Sequence, residues 1–222
     1  MKNSSLRKGY KGWGMEGFIA KWYAKTTLKD LKEFKTLAKR IAENLQYGSN
    51  VLELAPGPGY LAIELAKLCN YKIVGMDISK TFVEIAQDKA KQAGVAIEFR
   101  QGNASNMPFD DETFDLIICR AAFKNFSEPV KALSEIYRVL NANGKALIID
   151  LRRDVPKESI NQYVRSLGLS WINSVIIELI FKYMLIKRAY IKEEFEEFIL
   201  KTEFTKHNIS KTLTGLEIWL EK

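Results

Sequence analysis

The chain is poor in the residues that build metal sites and disulfide scaffolds. Across 222 residues there is one histidine, His207, and there are two cysteines, Cys69 and Cys119. A lone histidine cannot anchor a His-based metal site, and two isolated cysteines make neither a disulfide framework nor a zinc cluster, so no metal is expected. Long apolar runs are missing too. The longest, residues 172–186, is interrupted by Glu178 and Lys182 and is short for a bilayer span. The first twelve residues are basic, but no apolar run follows them, so no signal peptide is read there and a cytoplasmic location is expected. Internal repeats and low-complexity linkers are absent.

What is present is an ordinary globular composition. Apolar residues make up 47% of the chain, which excludes general disorder, and the length suffices for a substantial core. Basic residues exceed acidic ones, 34 against 27, for a net charge of +7 and a pI near 9.2. Such a balance suits nucleic acid, an anionic substrate or a membrane surface. The lysines are interleaved with glutamates, however, so the simplest reading is a solvated surface, and no nucleic-acid partner is expected.

The pattern of apolar residues divides the chain. Residues 1–44 carry aromatics (Tyr10, Trp13, Phe18, Trp22, Tyr23), then a helix from about Glu16 and a second over about Leu28–Asn44. An alternation follows: strands at Val51–Leu54, Lys72–Met76, Ile97–Gln101, Leu116–Cys119 and Lys145–Asp150, with helices at Tyr60–Leu68, Lys80–Ala93 and Glu128–Leu140, the last stopped by Asn143-Gly144. Strands alternating with helices predict a doubly wound, mostly parallel α/β sheet. Beyond Leu151, residues 156–188 read as mostly helical. A helix over about Lys192–Lys201 precedes a hairpin of Asn208–Leu213 and Leu216–Glu221.

The first turn of this alternation holds the candidate site. Gly57-Pro58-Gly59-Tyr60-Leu61-Ala62 fits the G-x-G-x-x-G/A pattern, in which glycine lets a ligand approach the main chain and the following helix directs its free N–H groups at it. Asp77, at the end of the second strand, is placed to accept hydrogen bonds from ribose hydroxyls; as a turn or helix-cap aspartate before Ser79 it would serve structure alone. Glu53, inside the first strand, suits a cofactor carrying a positive group, because it would repel a pyrophosphate.

These motifs, Val51–Gly59, Val74–Ser79, Gly102–Phe109 and Phe114–Phe126, resemble those of the class I S-adenosylmethionine-dependent methyltransferases, in particular the small-molecule type similar to ubiquinone/menaquinone methyltransferases. The resemblance spans about residues 45–150. It implies a Rossmann-like doubly wound seven-stranded sheet, mostly parallel, with an antiparallel C-terminal hairpin and a helical lid insertion. It implies one methyltransferase domain over 1–222, with cap helices at 1–44, a cofactor core at 45–151, a lid at 152–191 and a C-terminal helix and hairpin at 192–222.

By the same resemblance, Glu53 and the loop Ala55–Gly59, with Gly57 and Gly59, hold the methionine part of S-adenosylmethionine. Asp77 takes the ribose, and Ile78 packs on the adenine. Asn103 and Ala104 lie near the adenine amino group. Cys119 and Arg120 border the methionine moiety, and Tyr23 closes over the cofactor carboxylate. S-adenosylhomocysteine is the implied product. Three departures stand out. Ala55 replaces a glycine, which implies a regular backbone there; Asn103 replaces an aspartate; and Phe123-Lys124-Asn125-Phe126 lacks the histidines that relatives often carry.

Methyl transfer is in-line displacement at a sulfonium, and a base is needed only for a protonated nucleophile. The missing histidine therefore leaves the catalytic residue unassigned and favours acceptors that are already nucleophilic, in a metal-independent reaction on a small molecule. Trp13, Lys124, Asn125 and Arg152 are candidate acceptor-pocket residues, with Arg120, Lys124 and Arg152 making the pocket partly cationic; the alternative for these three is surface charge and helix-end pairing. Residues 152–191 read equally as a substrate lid or as the face of a homodimer. An RNA or protein methyltransferase, or a non-catalytic adenosyl- or NAD-binding protein, are the competing functions.

Overall fold

A computed structural model describes residues 9–11, 14–166 and 185–222; Trp13 and residues 167–184 of the expected helical stretch 156–188 lie outside them. Helix α1 (Gly17–Thr26) runs through a 3-10 turn (Thr27–Asp30) into α2 (Leu31–Ala42). Then come β1 (Asn50–Leu54), α3 (Tyr60–Ala66), β2 (Lys72–Asp77), α4 (Lys80–Gln92), β3 (Glu98–Gln101), β4 (Phe114–Arg120), α5 (Pro129–Val139) and β5 (Leu140–Leu151). The chain closes with α6 (Lys157–Ser166), a 3-10 turn (Ile186–Arg188), α7 (Lys192–Ile199), β6 (Lys206–Lys211) and β7 (Gly215–Glu221).

The seven strands form one sheet in the order β3-β2-β1-β4-β5-β7-β6. The first five are parallel, and β7 enters antiparallel between β5 and β6. The order reverses between β1 and β4, so their carboxyl ends diverge into a crevice, the usual ligand position in such sheets.

Period-two alternation sorts each strand between two cores. Leu52, Leu54, Ile117, Cys119 and Ile148 face α5 and α7. Val51, Leu116, Ile118 and Leu147 face α2, α3 and α4. Glu53 follows Val51 and Arg120 follows Ile118, so both reach the second face, whereas Asp150 follows Ile148 onto the first.

Two local expectations change. The helix before β5 ends at Val139, and the chain passes straight into a 12-residue strand. Asn143, at φ +65, and Gly144 form a kink inside that strand, where the β4–β5 register shifts. A Cβ on Gly144 would fall 2.8 Å from the Asn141 carbonyl oxygen, so the Asn-Gly pair serves close backbone approach and not a helix stop. The backbone at Ala55 is not regular: its φ is +52, in the left-handed region. The turn needs that conformation whatever residue occupies it, because the Ala55 N–H must reach the Met76 carbonyl at 2.8 Å.

Candidate cofactor site

The turn between β1 and α3 is held from both sides by carboxylates. The Gly57 N–H donates to Asp77 Oδ2 at 3.0 Å, and the Ala62 N–H donates to Glu53 Oε2 at 2.9 Å. Gly59 is required twice over. Its φ is +77, and an added Cβ would lie 2.9 Å from the Phe99 ring and 3.0 Å from the Ala86 methyl. Glu53 thus satisfies one of the orphan donors in the first turn of α3.

Both carboxyls are buried, Glu53 at 4% and Asp77 at 5% exposure. Burial pushes Glu53 up to about 7 against the pull of the Ala62 N–H and Arg120. Burial likewise pushes Asp77 up to about 6, opposed by the N–H groups of Ser79 and Gly57. Asp77 Oδ1 accepts from the Ser79 N–H at 2.8 Å, so the aspartate does hold the turn into α4. An ionised carboxylate has about four lone-pair sites, and these two bonds leave acceptor capacity for a diol.

The other expected residues are distributed around this pair. Tyr23, on α1, sets its ring edge-on to Phe82 at 5.8 Å between centroids, and its Cε1 would be 3.9 Å from a Cβ on Gly57. Arg120 donates to Glu33 at 3.1 Å and lies 4.5 Å over the Phe34 ring. The Ile78 carbonyl accepts from the Gln101 side chain at 3.0 Å. Asn103 Oδ1 accepts from the Ser105 N–H at 2.9 Å, and its amide lies against Gly9. Ala104 packs on the first core. Cys119 is buried, and its thiol is pushed well above the usual range by burial and by Asp150, so it is inert.

Two of the expected pocket cations go elsewhere. Lys124 is 4% exposed and pairs with Asp150 at 2.8 Å, and its ammonium also donates to the Ala121 carbonyl at 2.5 Å. Arg152 donates to the Asp154 carbonyl at 3.0 Å and pairs with its carboxylate at 3.2 Å; Lys211 pairs with that same carboxylate. Such pairing offsets the several kcal/mol that a buried cation without an anion would cost; the Arg152 Nε is nonetheless buried without a hydrogen-bond partner. Asn125 ends a 3-10 turn (Phe123–Asn125), and its carbonyl accepts from the Lys11 N–H at 2.7 Å.

That last bond reveals what the sequence did not suggest. Residues 9–11 run beside the chain after β4: Tyr10 bridges Phe126, and the Ser127 N–H reaches the Gly9 carbonyl at 3.3 Å. The Tyr10 phenol is raised by burial; a side-chain hydrogen bond with Arg188 opposes this, and Asp77 adds to it. Glu16 accepts from the N–H groups of Lys80 and Thr81 at 3.0 and 3.1 Å, capping α4 from outside its own helix. Ser79 is the N-cap, accepting from Phe82 N–H at 3.1 Å. Ser79 had a readable signal, a serine just before a helical run; Tyr10, Glu16 and Arg188 had none. Among the described residues, no three His, Cys, Asp or Glu side chains converge as metal ligands.

Residues 52–148 match a family model described as a methyltransferase domain. The chain is 38% identical over 101 residues to the uncharacterized methyltransferase YcgJ of Bacillus subtilis, a match covering 45% of this chain and 40% of that one. It is 30% identical over 158 residues to demethylmenaquinone methyltransferase of Chlorobaculum tepidum, covering 70% of this chain and 62% of that one. The matches thus span roughly two fifths to three fifths of these curated relatives. A solved structure from Methanococcus maripaludis, described as an S-adenosyl-L-methionine-dependent methyltransferase, superposes with a TM-score of 0.76 at 22% identity, over 96% of this chain and 95% of that one. Residues 52–148 thus carry a methyltransferase domain, and the sheet order and the carboxylate-held turn make the chain similar to the S-adenosylmethionine-dependent methyltransferases.

Proposed function

We propose that the chain transfers a methyl group from S-adenosylmethionine to a small-molecule acceptor by in-line displacement. The observation that carries this reading is the pair of buried carboxylates, Glu53 and Asp77, holding the Ala55–Gly59 turn at the β1–β4 crevice. The donor set fits the cofactor. Glu53 is desolvated enough to be pushed up to about 7, a state that a bound cation relieves. Asp77 keeps lone pairs for ribose hydroxyls beside a turn whose glycines expose the main chain.

In this reading Glu53 and the Ala55–Gly59 main chain hold the methionine end, and Asp77 holds the ribose. Ile78, Asn103 and Ala104 border the adenine. Tyr23 and Arg120 close the methionine side. When bound, the cofactor supplies a methyl group on a positively charged sulfur. The chain's part is alignment: excluding water and holding donor and acceptor about 3–3.5 Å apart. Tyr10, Tyr23 and α1 form the cover on one side. Helix α6 lies on the other, where burial raises the Tyr163 phenol and Arg120 is near enough to oppose that shift.

The acceptor is small and partly apolar. A homodimer is compatible with this reading, and light scattering at two concentrations distinguishes it from a monomer. Titration calorimetry with S-adenosylhomocysteine, S-adenosylmethionine and NAD(H) tests the cofactor. Tight NAD(H) binding without a response to the sulfur ligands would overturn the proposal. Asp77→Ala should weaken S-adenosylhomocysteine at least tenfold, the worth of a charge-assisted hydrogen bond of about 1.5–3 kcal/mol; near-native affinity would refute the ribose assignment. Incubation with labelled cofactor and a fractionated metabolite extract, read by mass spectrometry, identifies the acceptor.

A further inference from the structure

The positive charge of this chain is not spread along it. Residues 1–40 hold 11 basic and 3 acidic side chains, a net +8, while residues 41–222 hold 23 basic and 24 acidic, a net of −1. Four of the eight exposed large apolar side chains among the described residues fall in the same stretch. On α1, Phe18 is 81% exposed, Trp22 56% and Ile19 46%; Leu28, in the next turn, is 50% exposed.

Helical geometry makes this one surface. Phe18 and Trp22 stand four residues apart on the outer face. Lys21 and Lys25 flank them on one side and Ile19 on the other, and all are exposed. The inner face is fully used: Ala20 and Ala24 are buried, and the Ala24 carbonyl accepts from the Tyr60 hydroxyl at 2.8 Å. Lys32, Lys35 and Lys39 continue the exposed cationic row along α2. An isolated exposed leucine needs no explanation, but an aromatic ridge bordered by lysines on a helix does.

We infer that α1 docks the protein on an anionic membrane surface, with Phe18, Ile19 and Trp22 entering the headgroup boundary and the exposed Lys21, Lys25, Lys32, Lys35 and Lys39 facing anionic lipid. Aromatic residues on one side of a short helix and lysines beside them are the chemistry of interfacial helices. Charge complementarity selects the partner: the rest of the molecule is close to neutral, so attraction to an anionic bilayer orients the α1 side toward it. The apolar content of the ridge favours a bilayer over RNA, whose contacts would be to phosphates and stacked bases. The surface lies directly outside the turn that holds the candidate cofactor site, and its docking does not depend on what that site binds.

Sedimentation with vesicles tests the inference without any activity assay. The full chain should bind phosphatidylcholine vesicles containing phosphatidylglycerol and bind pure phosphatidylcholine weakly. Each lysine near an anionic surface contributes about a fivefold factor. The charge-reversed variant K21E/K25E should therefore lose more than tenfold on anionic vesicles, and F18S/W22S at least tenfold. Both variants change exposed residues, so their thermal midpoints should stay within about 2 °C of wild type. Failure of the wild type to bind anionic vesicles overturns the inference, as does undiminished binding by F18S/W22S. Tight binding of a single-stranded RNA that W22S abolishes, without vesicle binding, would assign the surface to RNA instead. A wild type that binds vesicles but not S-adenosylhomocysteine would sink the proposed function and leave the docking surface standing.

Discussion

Replacing Lys124 separates two roles that its position next to the crevice allows. Its ammonium sits in a buried pair with Asp150, each side chain 4% exposed. Asp150 also accepts from the Lys124 N–H at 2.7 Å and from the Leu151 N–H at 2.8 Å. Removing one partner of a buried pair costs about 3–5 kcal/mol when the other charge is stranded. Lys124→Met strands Asp150 only in part, because the two backbone donors remain, so the expected loss is about 2–3 kcal/mol. Asp150→Ala leaves a buried ammonium with the Ala121 carbonyl alone, and the loss should reach about 3–5 kcal/mol. For a chain of this size, 1 kcal/mol moves the midpoint by about 2–4 °C, so Lys124→Met should melt roughly 4–12 °C lower. In a double-mutant cycle, the doubly changed protein should be more stable than the sum of the single losses implies, since neither charge is then stranded. The assay is urea unfolding with calorimetric S-adenosylhomocysteine binding alongside. Binding should survive, because Asp150 lies on the opposite sheet face from Glu53. If Lys124→Met unfolds within about 0.5 kcal/mol of wild type while KM for the acceptor rises, Lys124 is a pocket cation and the structural account is wrong.

Two further predictions concern the turn itself. Ala55→Gly should be neutral or stabilising by up to about 1 kcal/mol: relief of a left-handed alanine, worth about 1–2 kcal/mol, exceeds the extra unfolded-chain entropy of glycine, about 0.4–1 kcal/mol. A loss above about 1 kcal/mol in urea unfolding, the usual penalty in a regular element, would contradict the positive φ. Glu53 and Asp77 give opposite pH trends for stability and binding. Their folded values, about 7 and about 6, lie above the ordinary carboxyl range. The folded ligand-free protein therefore holds more protons than the unfolded chain between those limits, and this contribution to stability declines as pH rises through the window. Cofactor binding should run the other way, tightening as Glu53 ionises on passing from pH 6 to pH 8. Glu53→Gln should flatten both trends; a calorimetric pH profile that keeps the wild-type slope would rule out Glu53 as the titrating group.

Much of this protein is local and was therefore legible. Alternating strands and helices and the glycines of the first turn are set by residues close in sequence. Such features depend on backbone geometry with a fixed period. The Asn143-Gly144 kink shows where local reading fails: the same dipeptide ends a helix or bends a strand, and only the neighbouring strand β4 decides which. Ala55 fails in the same way, since its conformation is imposed by Met76 on β2 and not by its own side chain.

The partners of charged groups were decided by tertiary structure. Lys124 finds Asp150, Arg120 finds Glu33, and Tyr10 meets Arg188 and Asp77 across long stretches of chain. A cation looks the same in a sequence whether it awaits a ligand or completes an ion pair, because its energy depends on what desolvates it and what lies within a few ångströms. By itself the sequence determined the fold class, the glycine turn and the two carboxylates beside it. Packing alone decided which cations were already neutralised and which helix face was left to meet the surroundings.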